Sequence, residues 1–282
     1  MAASADARDD RPEGARFRNY LGIALATQGE RTGGPNGIRL LDEAVSAFRE
    51  VLAVRARTGM TLDWAGTQNN LGNALQIRGQ HTSGLEGLGW LKEAIAAFRD
   101  ALTVYTRTEM PFYWAGTQNN LGIALQTLGC RLDGSEELRL LDEAVTAFRN
   151  ALTVHVLAEM PVDWARTQNN LGAALHSRGS RTGGPDGLRL LEEAVTAYRG
   201  ALIVHTRADM PAIWALTQEN IGLVLEAMVE ADPDGARAYL VDAKTALAAA
   251  LNVFTPEQMP HYHAKATAAL ARVHAKLAAL DG

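Results

Sequence analysis

Trp64, Trp114, Trp164 and Trp214 stand 50 residues apart, and each opens nearly the same phrase: WAGTQNNLGNAL, WAGTQNNLGIAL, WARTQNNLGAAL and WALTQENIGLVL. A fixed period of this length makes every unit one supersecondary block, unable to bury its apolar face except against its neighbours. Such a chain grows by adding units rather than by enlarging one core, so its 282 residues do not imply two ordinary domains.

Two helical patterns alternate within the period. In the first, helix A, Pro111 suits an opening turn, where a missing N–H goes unneeded, and Gly129 is expected to end the helix; Pro161 and Gly179 repeat the arrangement. Trp114, Leu121 and Leu125 form its apolar stripe. The second, helix B, is expected near 88–106, 138–156 and 188–206. Leu91, Ala94, Ile95, Phe98, Ala101, Leu102 and Tyr105 give it a face broad enough for more than one neighbour. His155 and His205 take the place of Tyr105 on that stripe, while Asp142-Glu143 and Glu192-Glu193 are expected near the start of helix B, where the macrodipole favours acids. Glycine-rich loops join A to B, and Met-Pro turns join B to the next A.

These boundaries predict a lead-in over 1–14, polar and disordered, and one repeat domain over 15–282. Its units span about 15–60, 61–110, 111–160, 161–210 and 211–259, and a capping helix covers 260–280. The fold class is all-α, a right-handed α-solenoid of about five helix pairs with that C-terminal cap.

A net charge of −5 lacks the basic excess that dominates binding to phosphate backbones, so nucleic acid is not the expected ligand. Cys130 is the sole cysteine, which excludes a disulfide framework within the chain or a cysteine-built zinc site. No apolar run reaches the length of a spanning helix, and MAASADARDDRPEGA lacks the regions of a secretory signal. A cytoplasmic location with no membrane association is expected, and the arginine-, alanine- and glycine-rich usage suggests a bacterial source. His261, His263 and His274 show no metal-ligand spacing, so neither metal nor cofactor is expected. Gly-x-Arg-Thr-Gly-Gly around Arg31 and Arg181 lacks the strand or the Gly-Lys-Ser/Thr of a phosphate loop. An arginine just past a helix C-terminus is favourable without a ligand.

Gln68-x2-Leu71-Gly72-x2-Leu75, followed by Ala94-x3-Phe98 and Ala101, resembles the tetratricopeptide repeat (TPR) pattern. The same register returns through Gln118, Leu121, Gly122, Leu125, Ala144 and Phe148, and through Gln168, Leu171, Gly172, Leu175, Ala194 and Tyr198. It is most similar to the long-unit bacterial form, often the sensor half of caspase-like (CHAT) signalling proteins. Three departures stand out: a 50-residue unit, Gln68 in the usual tryptophan position with Trp64 one turn earlier, and the proline displaced to the next helix A.

The resemblance implies a non-enzymatic scaffold whose concave groove, lined by helix A, binds a peptide or protein segment. Its groove positions would be 66, 69, 73 and 76 and their equivalents in later units. Asn69, Asn119, Asn169 and Glu219 then form one row, Gln76, Gln126, His176 and Glu226 another, and Asn73 and Arg166 are variable readers between them. Carboxamides suit this task, since each offers a donor and an acceptor to a peptide backbone. Asn70 and its equivalents are expected to brace the structure, and the tryptophans to pack in the core. The alternatives are a sensor or assembly module acting through self-association or an effector on another chain, and, third, a small-molecule pocket or enzyme inside the superhelix.

Overall fold

The computed structural model describes residues 12–56 and 61–281. The expected lead-in falls largely outside them, and Pro12 already opens the first helix. Eleven helices and no strand occur among the described residues. The A-type helices are α1 (Pro12–Thr32), α3 (Leu62–Gln80), α5 (Pro111–Gly129), α7 (Pro161–Thr182), α9 (Pro211–Ala231) and α11 (Pro260–Asp281). The B-type helices are α2 (Gly34–Ala56), α4 (Gly84–Leu102), α6 (Ser135–Leu152), α8 (Gly184–Ala201) and α10 (Ala236–Leu251).

Two compact units meet in sequence between Val154 and His155. The first holds α1 to α6 and the second α7 to α11. Within each, consecutive helices pack as antiparallel pairs. A helix B also lies against the following helix A, as α2 does on α3 and α4 on α5, or α8 on α9 and α10 on α11.

The closeness of each pair follows from one glycine. A β-carbon on Gly22, Gly72 or Gly122 would stand 2.6–2.7 Å from the ring of Phe48, Phe98 or Phe148, inside van der Waals contact. Gly172 meets Tyr198 in the same way at 3.0 Å. These four rings are at most 1% exposed. The glycine of the repeated LG pair is thus a socket for the helix B aromatic.

Gly129 and Gly179 do not terminate helix A. Both are helical and serve close packing: a β-carbon on Gly179 would lie 3.0 Å from the Gly187 carbonyl oxygen and from Leu191. The left-handed glycines are instead Gly84, Gly134 and Gly183, at φ 64°, 75° and 64°, a region that L side chains rarely adopt. They start helix B three or four residues before the expected position. The recurrent acids consequently lie mid-helix, where Glu143 and Glu193 receive Arg139 and Arg189 from one turn earlier. First-turn acids are Glu86, Glu136, Glu137 and Asp186.

Helix B also ends about four residues early, at Leu102, Leu152 and Ala201. Tyr105, His155 and His205 therefore sit in the turn beyond it, yet are only 5%, 2% and 4% exposed. In the first unit Tyr105 joins Trp64, Ala65 and Ala101 in one apolar cluster, with Trp114 at its edge. Trp64 is buried, whereas Trp114, Trp164 and Trp214 are half-buried.

Candidate functional site

Successive A helices are stitched by a threonine and an asparagine. The Thr117 hydroxyl donates to Asn69 Oδ1 at 3.2 Å, and Asn120 Nδ2 donates to the same oxygen at 3.3 Å. Thr67 stands 3.2 Å from Asn19 Oδ1 in the same unit, and in the second unit Thr217 stands 3.2 Å from Asn169 Oδ1. All three hydroxyl residues are at most 2% exposed. Thr117 and Asn120 rise from α5 onto the one carbonyl oxygen of Asn69, so this carboxamide has an internal employment.

Of the expected groove residues, Asn119 is 1% exposed and Glu219 0%. Glu226, at 7%, is held by α11: Arg272 Nε and Nη2 donate to its two oxygens at 3.1 and 2.8 Å, and Lys276 Nζ stands at 3.1 Å. Burial pushes the Glu226 carboxyl up, but these hydrogen bonds and charges hold it below the usual carboxylate value. Lys265 Nζ lies 3.2 Å from Glu219 Oε1 as an ion pair without hydrogen-bond geometry. Asn69, Asn73, Gln76, Gln126, Asn169 and His176 are half-buried, and Arg166 is exposed and paired to Asp163 at 2.7 Å. Gln76 Oε1 is buried with no hydrogen-bond partner. Burial, with a smaller contribution from Lys265, pushes the His176 imidazole below its ordinary value.

The arginine of the A–B loop is likewise occupied. Arg131 Nη1 donates to the carbonyls of Gly79 and Thr82 at 2.8 and 2.9 Å, and Nη2 to Gln80 at 3.0 Å, capping the C-terminal end of α3.

A recess of about 450 Å³ opens on the first unit between α1, the end of α2, α3 and the turn entering α5. α1 contributes Arg16, Asn19 and Tyr20, and α3 contributes Asp63, Gly66 and Asn70. Tyr105 and Tyr113 form one wall, their rings stacked at 5.2 Å. Asn70, rather than Asn69, faces this opening, one helical position from the expected row. Gly66 leaves the floor open, since a β-carbon there would meet only the Tyr105 hydroxyl, at 3.2 Å.

Arg55 closes the bottom. Its side chain is 11% exposed and donates to the Asp63 carbonyl and the Thr67 hydroxyl, with Asp63 Oδ2 at 3.9 Å. Burial pushes the Arg55 guanidinium below its ordinary value; Asp63 opposes the shift and the charge of Arg16 adds to it. Burial raises Tyr105, with Tyr113 and Asp63 adding to the effect. Sequence periodicity passed over these residues because they depart from the repeat: position 55 and its equivalents read Arg, Tyr, His and His, and position 63 reads Asp, Tyr, Asp and Ile. That variation between otherwise similar units was the available signal.

Among the described residues no cluster of three or more His, Cys, Asp or Glu could hold a metal ion, and no helix is long and apolar enough to cross a membrane.

No family model matches the chain, and no curated protein matches it. Among solved structures it is similar to BtubC (BKLC) from P. vanneervenii, at 21% identity and a TM-score of 0.53, over 89% of this chain and 91% of that one. It is also similar to a kinesin light chain-type protein of nearly identical TPR-like repeats from Podosopora anserina, at 19% identity and a TM-score of 0.49, over 83% and 96%. The fold is that of TPR-like repeat proteins.

Proposed function

We propose that the chain is a protein-interaction scaffold without catalytic activity, which binds a peptide or protein segment along the open face of its A helices. The observation that carries this is the recess of the first unit, where Tyr20 and Tyr113 remain 69% and 59% exposed beside Arg16 and Asn70. Tyrosine and arginine around a partly desolvated pocket are the residue types that dominate binding energy at protein interfaces. Asn73, Gln76 and Gln126, half-exposed on the same series of helices, add donors and acceptors for a peptide backbone. The Asn69 row supports this face from behind.

Panning the immobilised chain against a phage-displayed random dodecapeptide library tests the reading. Enriched peptides should reduce hydrogen exchange in α1, α3 and α5 and leave α2, α4 and α6 unchanged. Failure to enrich any sequence over a blank support, or protection confined to the B helices, would overturn it.

A second reading, assembly through self-association, draws on α1. Phe17 and Leu21 are 82% and 51% exposed, whereas their equivalents Thr67 and Leu71 are 0% and 7% exposed beneath the preceding helix B. Light scattering of the wild type and of Phe17→Ser/Leu21→Ser decides it: a dimer that the double change converts to monomer supports assembly, and a monomer at all concentrations rejects it.

A further inference from the structure

Two guanidinium groups converge on the recess of the first unit with one carboxylate between them. Arg16 is exposed, and no carboxylate among the described residues is paired with it. Arg55 is nearly buried, and Asp63 reaches it only at 3.9 Å, the outer edge of an ion pair. Asp63 is itself 61% exposed, so solvent weakens its share of the balance. The local charge is therefore about +1 in a chain whose net charge is −5. Burying like charges together is unfavourable unless an anion completes the group.

The remaining walls fit such a guest. Tyr20 and Tyr113 present rings and hydroxyls at the rim, and Asn70 lies beside them with an amide able to donate. The absence of a side chain at Gly66 leaves room above Arg55 that Arg166 or Leu216 would fill at the equivalent positions. About 450 Å³ accommodates one acidic side chain with its flanking backbone.

We propose that this recess is a subsite for a carboxylate side chain of a bound acidic peptide segment, gripped between Arg16 and Arg55 and flanked by Tyr20 and Tyr113. It rests on the reading of the chain as a peptide-binding scaffold and names the chemistry selected at one position. A monoanion matches the local charge. A dianionic phosphoryl group meets the same two guanidiniums, but Asp63 stands beside them and repels its second charge. Forked, charge-assisted hydrogen bonds from arginine suit the planar carboxylate.

The same dodecapeptide library, panned on the wild type and on Arg16→Ala, provides the test. Wild-type selections should converge on Asp or Glu at one position, and Arg16→Ala should lose that convergence while keeping its melting temperature, because Arg16 is exposed. A selected peptide, acetylated and amidated so that its ends carry no charge, should bind the wild type at least roughly tenfold more weakly after its acidic residue becomes the amide. It should bind Arg16→Ala equally well in both forms. Enriched peptides with no acidic position, or equal binding of acid and amide by the wild type, overturn the subsite and leave the scaffold standing. Tighter binding of a phosphoserine peptide at that position overturns the assignment to carboxylate. Absence of any enriched peptide overturns the scaffold reading itself.

Discussion

The ring of Phe98 occupies the space that a β-carbon on Gly72 would need, with its Cε1 atom 2.6 Å from that position. One residue type on helix A and one on helix B therefore set how closely the pair approaches, and the relation returns at Gly22 with Phe48 and Gly122 with Phe148. At Gly222 the partner is Leu247, again at 2.6 Å.

Two glycines of α5 should consequently respond in opposite directions to the same change. Gly122→Ala forces a methyl group into Phe148, an overpacking cost of about 1–3 kcal/mol. That cost outweighs the helix-propensity gain of up to about 1 kcal/mol. Gly116→Ala meets nothing within 4 Å and keeps only the gain. Urea unfolding followed by circular dichroism should show a lower midpoint for the first variant and an equal or higher one for the second. A stable Gly122→Ala would remove the socket account of the LG pair.

The repeat was legible because every unit must solve the same packing problem, so Trp64, Leu71, Gly72 and Phe98 return in register. Periodicity also placed Pro111, Pro161 and Pro211 at the openings of helices. It misplaced the ends of helix B, because residues 84–87 look like loop in composition, while the left-handed φ of Gly84 lets a helix begin there at once. The recess was illegible for a related reason: Asn69 and Asn70 are both asparagines, and only the partners supplied by Thr117 and Asn120 reveal which of them is tied down. Tyr20, Arg55 and Tyr113 break the pattern, so no repeat-based reasoning marks them.

Acid should weaken the second unit through two buried imidazoles. Burial pushes His155 below its ordinary value, with Asp163 opposing the shift and Arg166 adding to it, and burial does the same to His205. His155 Nδ1 lies 3.0 Å from the Thr167 hydroxyl, whereas His205 Nδ1 is buried with no hydrogen-bond partner. A histidine with a depressed pKa in the folded state takes up its proton more readily when unfolded. Stability is then flat above the unfolded value of about 6.5 and falls as pH drops from there through the lowered folded pKa. Replacing both, as His155→Tyr/His205→Phe, copies the residues found at 105 and 254 and should flatten this dependence. Urea midpoints at pH 7.5 and 5.0 measure it; an unchanged slope in the double variant would assign the acid sensitivity elsewhere.

The C-terminal helix is held by charge as well as by packing. α11 buries only small apolar residues, Ala266, Ala269 and Val273, while its Arg272 and Lys276 both engage Glu226 of α9. Arg272→Ala removes the two-pronged contact and leaves the carboxylate with Lys276 alone, at an expected cost of about 1–2 kcal/mol for charged hydrogen bonds that are half-exposed. Because α11 ends the helix series, the loss should appear first as faster hydrogen exchange within 260–281, with α7 and α8 unchanged. Uniform acceleration across the second unit would show that α11 unfolds only with its neighbours.

Adjacent asparagines on α3 should separate stability from binding. Asn69→Ala removes the oxygen that accepts from Thr117 Oγ1 and Asn120 Nδ2, leaving two donors of α5 without that partner, one on a residue 2% exposed. An expected cost of about 1–3 kcal/mol follows from stranding buried polar groups. Asn70→Ala lies at the recess and takes away no comparable internal bond, so its unfolding midpoint should stay within about 0.5 kcal/mol of the wild type. Its affinity for a selected peptide should fall by roughly three- to tenfold, the worth of one lost hydrogen bond. Paired urea titrations and peptide-binding isotherms on the two variants make the comparison. If Asn69→Ala instead loses affinity at full stability while Asn70→Ala melts early, the binding face lies one helical position back, on the Asn69 row, and the recess is not part of it.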